Sequence, residues 1–274
     1  MRKCIGLLVG AMWAHSVSAA PPAPTVATSP AISIIIDDLG GRLAPGLRAV
    51  RLPGPVACAF LPHSAHTREL ALTAHSYNKE VLLHLPMQPV DRRALDPGGL
   101  SLDMTQGEFV RALQQDLAAV PHVAGINNHM GSLLTRHPGH MLWLMQEINR
   151  QGELFFVDSR TTSSTVAMQV AVENHVPSVD RDVFLDNDPS PAAVRAQFER
   201  LLALAQEHGL ALAIGHPHPG TLAVLEELLP TLPQRGIRLV SLAEMIKLQH
   251  ARTTPWHASL SPSPPAAKSS KPSP

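Results

Sequence analysis

Cysteine, charge and aromatic side chains are all scarce in this chain. Its two cysteines are Cys4 and Cys58. Cys4 falls in a leader-like segment, so the expected mature chain has no intrachain disulfide and no thiolate metal site. Only 16% of residues are charged and the net charge is zero, which gives no electrostatic footprint for a nucleic-acid partner. Beyond the leader, no apolar run is long enough to cross a bilayer, so no transmembrane anchor is expected after its removal. With three Trp, one Tyr and six Phe there are few flat platforms for stacking a ligand. Histidine, by contrast, is plentiful at fifteen residues. Imidazole and carboxylate are the ligands left to a metal in such a chain.

The two ends read as additions to one domain. Residues 1–20 carry Arg2 and Lys3, an apolar stretch and then Val17-Ser18-Ala19, the pattern of a secretory signal peptide. Residues 21–30 (PPAPTVATSP) read as a linker. Residues 251–274 are rich in Pro, Ser, Ala and Lys and lack apolar periodicity, so they read as a disordered tail. Between them, residues 31–250 are long enough for a full core.

Within that domain, short apolar runs alternate with helical patterns. Strands are expected at 31–37, 55–61, 80–85, 122–127, 153–158, 176–180, 210–215 and 237–241. Helices are expected at 65–77, 105–119, 138–151, 189–208 and 219–229, the second opened by a Thr105/Glu108 capping box. This alternation implies a parallel α/β sheet with right-handed crossovers, and so many units in one domain suggest a closed or nearly closed barrel.

Metal-competent groups collect at the carboxyl ends of these strands. The first strand, AISIIIDDLG, runs three isoleucines into Asp37 and Asp38. Neighbouring strand residues face opposite sides, so the two carboxylates share a site only if the chain bends, which Gly40-Gly41 would ease. Singly, each also reads as a turn former or a helix cap. If they converge, their repulsion calls for a cation, with one carboxylate as ligand and the other as base.

His84 ends the third strand, and His129 follows Asn127-Asn128 in GINNHMGS. Either could be a structural histidine. Joined with Asp38 they would form a one-carboxylate, two-imidazole site with open positions, suited to zinc or another divalent ion. His216, in GHPHP, is the candidate general acid, and His218 a hydrogen-bonding or orienting group.

Asp158 and Arg160 read equally as a loop salt bridge, as partners tuning His216, or as substrate contacts. Asp186, in VFLDND, reads first as an N-cap or Asx turn. The HSAH segment, His63 to His66, reads as a solvated helix start with His66 able to line the cleft.

Taken together, IIIDDLG, FLPHSAH, EVLLHLPMQP, GINNHMGS, LFFVDSRTT, VDRDVFLDN and IGHPHPGTL resemble the divergent polysaccharide deacetylase family, over residues 31–247. The resemblance implies a distorted (β/α) barrel with about seven parallel strands, one divalent metal, and hydrolysis of N-acetyl groups on a polysaccharide. That is a hydrolase of C–N amide bonds other than peptide bonds.

In the wider superfamily the first Asp of the double-Asp motif is the base and the second a metal ligand, roles that map to Asp37 and Asp38. The usual H-[ST]-x-x-H ligand pair is absent here, and by strand-end position the role passes to His84 and His129. The late strand-end histidine corresponds to His216. Asn128 is then the expected donor to the tetrahedral oxyanion. The implied substrate is an N-acetylated envelope glycan, with peptidoglycan the natural candidate, and the implied location is the periplasm. The alternative is a non-catalytic envelope protein that keeps the barrel to bind metal or glycan. The absent motif and the few aromatics favour it.

Overall fold

A computed structural model describes the backbone of residues 29–91 and 93–258, and the side chains of 29–91 and 93–252. The leader and most of the linker and tail lie outside the described residues.

The chain begins with β1 (Ala31–Leu39), α1 (Leu43–Val50), β2 (Ala57–Phe60), α2 (Thr67–Ser76) and β3 (Val81–Met87). A long excursion then leads to α3 (Gln106–Ala119) and β4 (Val123–Met130). Next come α4 (Pro138–Gln151), β5 (Phe155–Asp158), α5 (Ala167–Glu173), β6 (Ser178–Asp180) and β7 (Val183–Phe184). The order closes with α6 (Pro191–His208), β8 (Leu210–Gly215), α7 (Pro219–Leu228), β9 (Arg238–Leu239) and α8 (Leu242–Ala258).

Every strand pairing is parallel, in the order β6-β5-β4-β3-β2-β1-β8-β7, with β9 added beside β1. The expected barrel is therefore present, with nine strands among the described residues where about seven were expected. β9 falls within the expected segment 237–241, and the strand with no expected counterpart is β7, two residues too short to carry a period. β6 and β7 are halves of one stretch, the first bonded to β5 and the second to β8, so that stretch links the two ends of the sheet.

Period-two alternation explains the isoleucine run of β1. Ile32, Ile34 and Ile36 pack with the core between sheet and helices, whereas Ala31 and Ile35 pack with Leu82, Val157, Leu212 and Ile214 on the opposite face, the barrel interior. A strand buried on both faces needs apolar residues at every position, hence the unbroken run.

Thr105 and Glu108 form the expected capping box on α3. α8 runs on to Ala258, past residue 251 where a disordered tail was expected. Its first turns are anchored by packing of Leu242, Met245 and Ile246, and propagating a nucleated helix is far less costly than starting one. Cys58 is buried and free, and burial pushes its thiol up to about 12, so it is chemically inert.

Candidate metal centre

The interior face of the barrel changes character along its axis. On four strands a polar side chain stands two residues beyond the last interior apolar one: Asp37 after Ile35, His84 after Leu82, Ser159 after Val157 and His216 after Ile214. On β4 the same column carries Asn127 and then His129. The candidate site is thus the top layer of the barrel filling, at the carboxyl ends of the strands.

Asp38 joins this layer through a break in β1. The register with β2 shifts between Ile36 and Leu39, and Asp38 has φ +56°. Aspartate tolerates this left-handed conformation better than most residues, and a bulge re-aims a side chain that regular alternation would send outward. The bend that brings the two carboxylates together therefore sits at Asp38 itself, before the glycines. Met130 (φ +53°) and Arg160 (φ +48°) mark similar turns where β4 and β5 exit.

Three atoms converge. Asp38 Oδ1 lies 3.2 Å from His84 Nε2 and 3.0 Å from His129 Nδ1, and the two nitrogens are 3.1 Å apart. Each imidazole is committed at its far nitrogen: His84 Nδ1 donates to Asn127 Oδ1 (2.9 Å), and His129 Nε2 meets Asp96 Oδ2 (3.1 Å). Those partners assign the protons outward and leave three lone pairs facing one another, with Asp38 Oδ1 buried and lacking an aligned donor. Such a set fits a divalent cation. Adjacent ligands on bonds of about 2.1 Å stand roughly 3.0 Å apart in octahedral and 3.4 Å in tetrahedral geometry, and the observed separations fall in that interval.

The surrounding charges are arranged around this gap. Burial pushes Asp37 above the usual carboxylate range, only partly offset by His84, His216 and the Asn127 amide, which donates to its Oδ1 at 2.8 Å. Burial opposes the charge on Asp38 as well, but the two imidazoles outweigh it and hold that carboxyl well below its ordinary value. His84 is disfavoured as a cation by burial, yet Asp37 and Asp38 raise it to about 9. Without a metal, then, the site holds a proton that a cation would displace.

His216 stands across from this group, its Nε2 3.8 Å from Asp38 Oδ2. Asp186 accepts from both its Nδ1 (3.0 Å) and its backbone N–H (2.7 Å), and from Thr221 Oγ1 (2.8 Å). Burial works against protonation of His216, and the Asp186 contact together with the charges of Asp37 and Asp38 outweighs it, so its pKa is raised. Asp186 was expected as a turn or cap; it is the brace of the late histidine. His218 is exposed at the start of α7, its ring 5.9 Å from that of His216. A cleft of about 280 Å³ opens here between Asp38, Arg42 and His218. A larger cavity, about 560 Å³, lies at the opposite end of the strands among Pro53, Leu232, Ile237 and Leu239, remote from this chemistry.

Other expected residues lie elsewhere. Asn128 is buried on the opposite face of β4. Its amide donates to Met130 O (2.8 Å) and its oxygen accepts from Ser159 N (2.8 Å), so it braces the strand ends on the side away from the converging ligands. Asp158 accepts from Arg160 N (2.8 Å) and Thr165 Oγ1 (2.8 Å), holding its loop, while the Arg160 side chain pairs with Asp180 (2.8 Å). The carboxylate on His216 is Asp186, not Asp158. In the HSAH segment, His63 pairs with buried Asp116 (2.7 Å) and His66 faces Glu69 (3.6 Å).

Asn127, Asp96 and Asp186 were missed as site residues. Alternation along β4 could have identified Asn127, since it shares a face with His129 and is the register partner of His84. Asp96 comes from a loop without periodicity and carries no comparable signal.

The description "divergent polysaccharide deacetylase" belongs to the family model that matches residues 34–246. The uncharacterized protein YibQ of Escherichia coli (strain K12) is 39% identical over 215 residues, 78% of this chain and 67% of that protein. Among solved structures, the uncharacterized protein ATU2773 from Agrobacterium tumefaciens C58 superposes with a TM-score of 0.76 at 19% identity, covering 82% of this chain and 91% of that one. The peptidoglycan deacetylase PdaC from Bacillus subtilis reaches 0.53 at 10% identity, covering 86% and 100%. A mutant of BA3943, a CE4 family pseudoenzyme with restored enzymatic activity, reaches 0.51 at 13% identity, covering 80% and 68%. At these identities the structures establish a common fold.

Proposed function

The chain belongs to the divergent polysaccharide deacetylase family, and on that premise we propose that it is a metal-dependent hydrolase removing N-acetyl groups from an envelope polysaccharide. The observation that carries this reading is the convergence of Asp38, His84 and His129 beside a buried carboxylate and a braced histidine. These three ligands would hold one divalent cation, zinc being the ion best matched to two imidazoles and a carboxylate. A cation held there supplies Lewis-acid polarisation and a water of lowered pKa.

The chain's own groups divide the proton work. Asp37, oriented by Asn127, accepts the proton of the attacking water. His216, held by Asp186 at Nδ1, presents its Nε2 proton to the departing sugar nitrogen. Residues 1–20, read as a secretory signal, would export the domain, and the family resemblance favours the periplasm, where N-acetylated glycans such as peptidoglycan are found.

The test is metal content of the purified chain, followed by acetate release from acetylated chitooligomers and from peptidoglycan. Acetate production that disappears in Asp37→Ala, with metal retained, supports the hydrolase. Production that survives Asp37→Ala overturns its role as base. Bound zinc with no acetate from any glycan supports the second reading, a non-catalytic metal- or glycan-binding protein. One observation favours that reading: the usual H-[ST]-x-x-H ligand pair is absent from this chain.

A further inference from the structure

The β3–α3 excursion reaches from its own base to the metal centre. Leu100 N donates to Pro86 O (2.9 Å) and Gln88 N to Leu100 O (2.9 Å), so the segment leaves β3 and returns to pair beside it. At its tip, Asp96-Pro97-Gly98-Gly99 forms a turn closed by Gly99 N donating to Asp96 O (3.0 Å). Proline in the second position and a glycine at φ +86° in the third are what a type II turn requires. This turn is stiff before it touches anything else.

Its outer side rests on a second polar pair. A Cβ added to Gly98 would stand 2.2 Å from Asp116 Oδ1 and 2.9 Å from His63 Cδ2, so only glycine lets the backbone seat there. Asp116 is wholly buried and bonded to His63 Nε2 at 2.7 Å, with its other oxygen unpartnered. A buried, half-satisfied carboxylate is costly to keep for packing alone. It gives the turn a fixed seat on α3. From that seat the side chain at the head of the turn, Asp96, reaches His129 Nε2.

We infer that Asp96 is a positioning residue for the metal ligand His129, and that the Asp-Pro-Gly-Gly turn seated on the His63–Asp116 pair sets how tightly the site holds its ion. This rests on the metal-centre reading above. A carboxylate on the outer nitrogen of a ligand imidazole fixes ring orientation and tautomer and raises ligand basicity, and its loss typically costs 10–100-fold in metal affinity. Asp96 thus acts without touching the ion, and Gly98 acts through Asp96.

The experiment is zinc titration of the full chain against a chromophoric chelator, with melting curves recorded without metal. Asp96→Ala is expected to weaken zinc binding about 10–100-fold and to leave the metal-free melting temperature unchanged, because the side chain is half-exposed on a surface loop. Asp96→Asn, which keeps an acceptor and loses the charge, should fall between the wild type and Asp96→Ala. Gly98→Ala should weaken zinc binding although it lies outside the ligand set. Wild-type affinity in both Asp96→Ala and Gly98→Ala overturns the inference while leaving the metal centre standing. A wild-type chain that binds no zinc overturns both.

Discussion

Asn127 is the residue on which the electrostatic arrangement of the centre turns, and replacing it separates two roles that the geometry assigns to one amide. Its oxygen accepts from His84 Nδ1 at 2.9 Å and its nitrogen donates to Asp37 Oδ1 at 2.8 Å, both buried. Asn127→Ala strands both partners. Leaving a buried polar group unsatisfied costs ~1–3 kcal/mol, and more when it is charged, so two such losses come to roughly 2–6 kcal/mol of stability. For a domain of this size, ~1 kcal/mol shifts the melting temperature by about 2–4 °C, and a fall of at least ~4 °C is expected. Because His84 also loses the bond that orients its ring, zinc affinity should drop about 10–100-fold.

Asn127→Asp is the informative contrast. It still accepts from His84, so zinc should remain bound within roughly tenfold, but it can no longer donate to Asp37 and sets a like charge against it. Acetate release should then vanish while the metal stays. Chelator competition, thermal melts and acetate assays on the two variants suffice. If Asn127→Ala holds zinc as tightly as the wild type and melts at the same temperature, the amide orients nothing and the reasoning fails.

Three further outcomes follow from the same charges. His84 is raised to about 9 in the metal-free site, so zinc uptake at neutral pH should release a proton, detectable with an indicator dye in weak buffer, and affinity should climb as pH rises toward 9. The same shift makes the stability contribution of His84 in the metal-free protein fully present below its ordinary pKa of about 6.5. That contribution is lost as pH rises through about 9, so the metal-free melting temperature should decline across that window; flat profiles would refute both statements. Asp186→Asn keeps an acceptor for His216 but removes the charge that helps raise it, so the alkaline limb of the kcat–pH profile, set by loss of the His216 proton, should move to lower pH with kcat reduced. An unmoved limb would exclude His216 as the acid.

How far the sequence could be read depended on whether a feature has a period. The eight expected strand segments all carry strands because each is an apolar run bounded by polar residues, and burial on both faces demands that run. β7 was missed because two residues cannot express alternation, and Asp186, standing just beyond it, was read as a local turn for the same reason. At the site, strand-end position marks Asp37, His84, His129 and His216, because Ile35, Leu82, Val157 and Ile214 keep the interior face apolar just below the strand ends. The same alternation, carried one step further, selects Asn127 over Asn128: Asn127 and His129 stand two apart on one face, and Asn128 is sent to the other.

Other features have no local signature at all. The left-handed φ of Asp38 is decided by what the bulge gains at the far end of its side chain, where two imidazoles from β3 and β4 stand within 3.2 Å. Asp96 meets His129 across a contact between a loop and a strand that no spacing encodes. The layer of chemistry on top of the barrel is therefore written twice. Where it continues the alternation of the strands it can be read from one chain, and where it depends on a bulge or a loop crossing over, it follows only from the packing that brings the strands together.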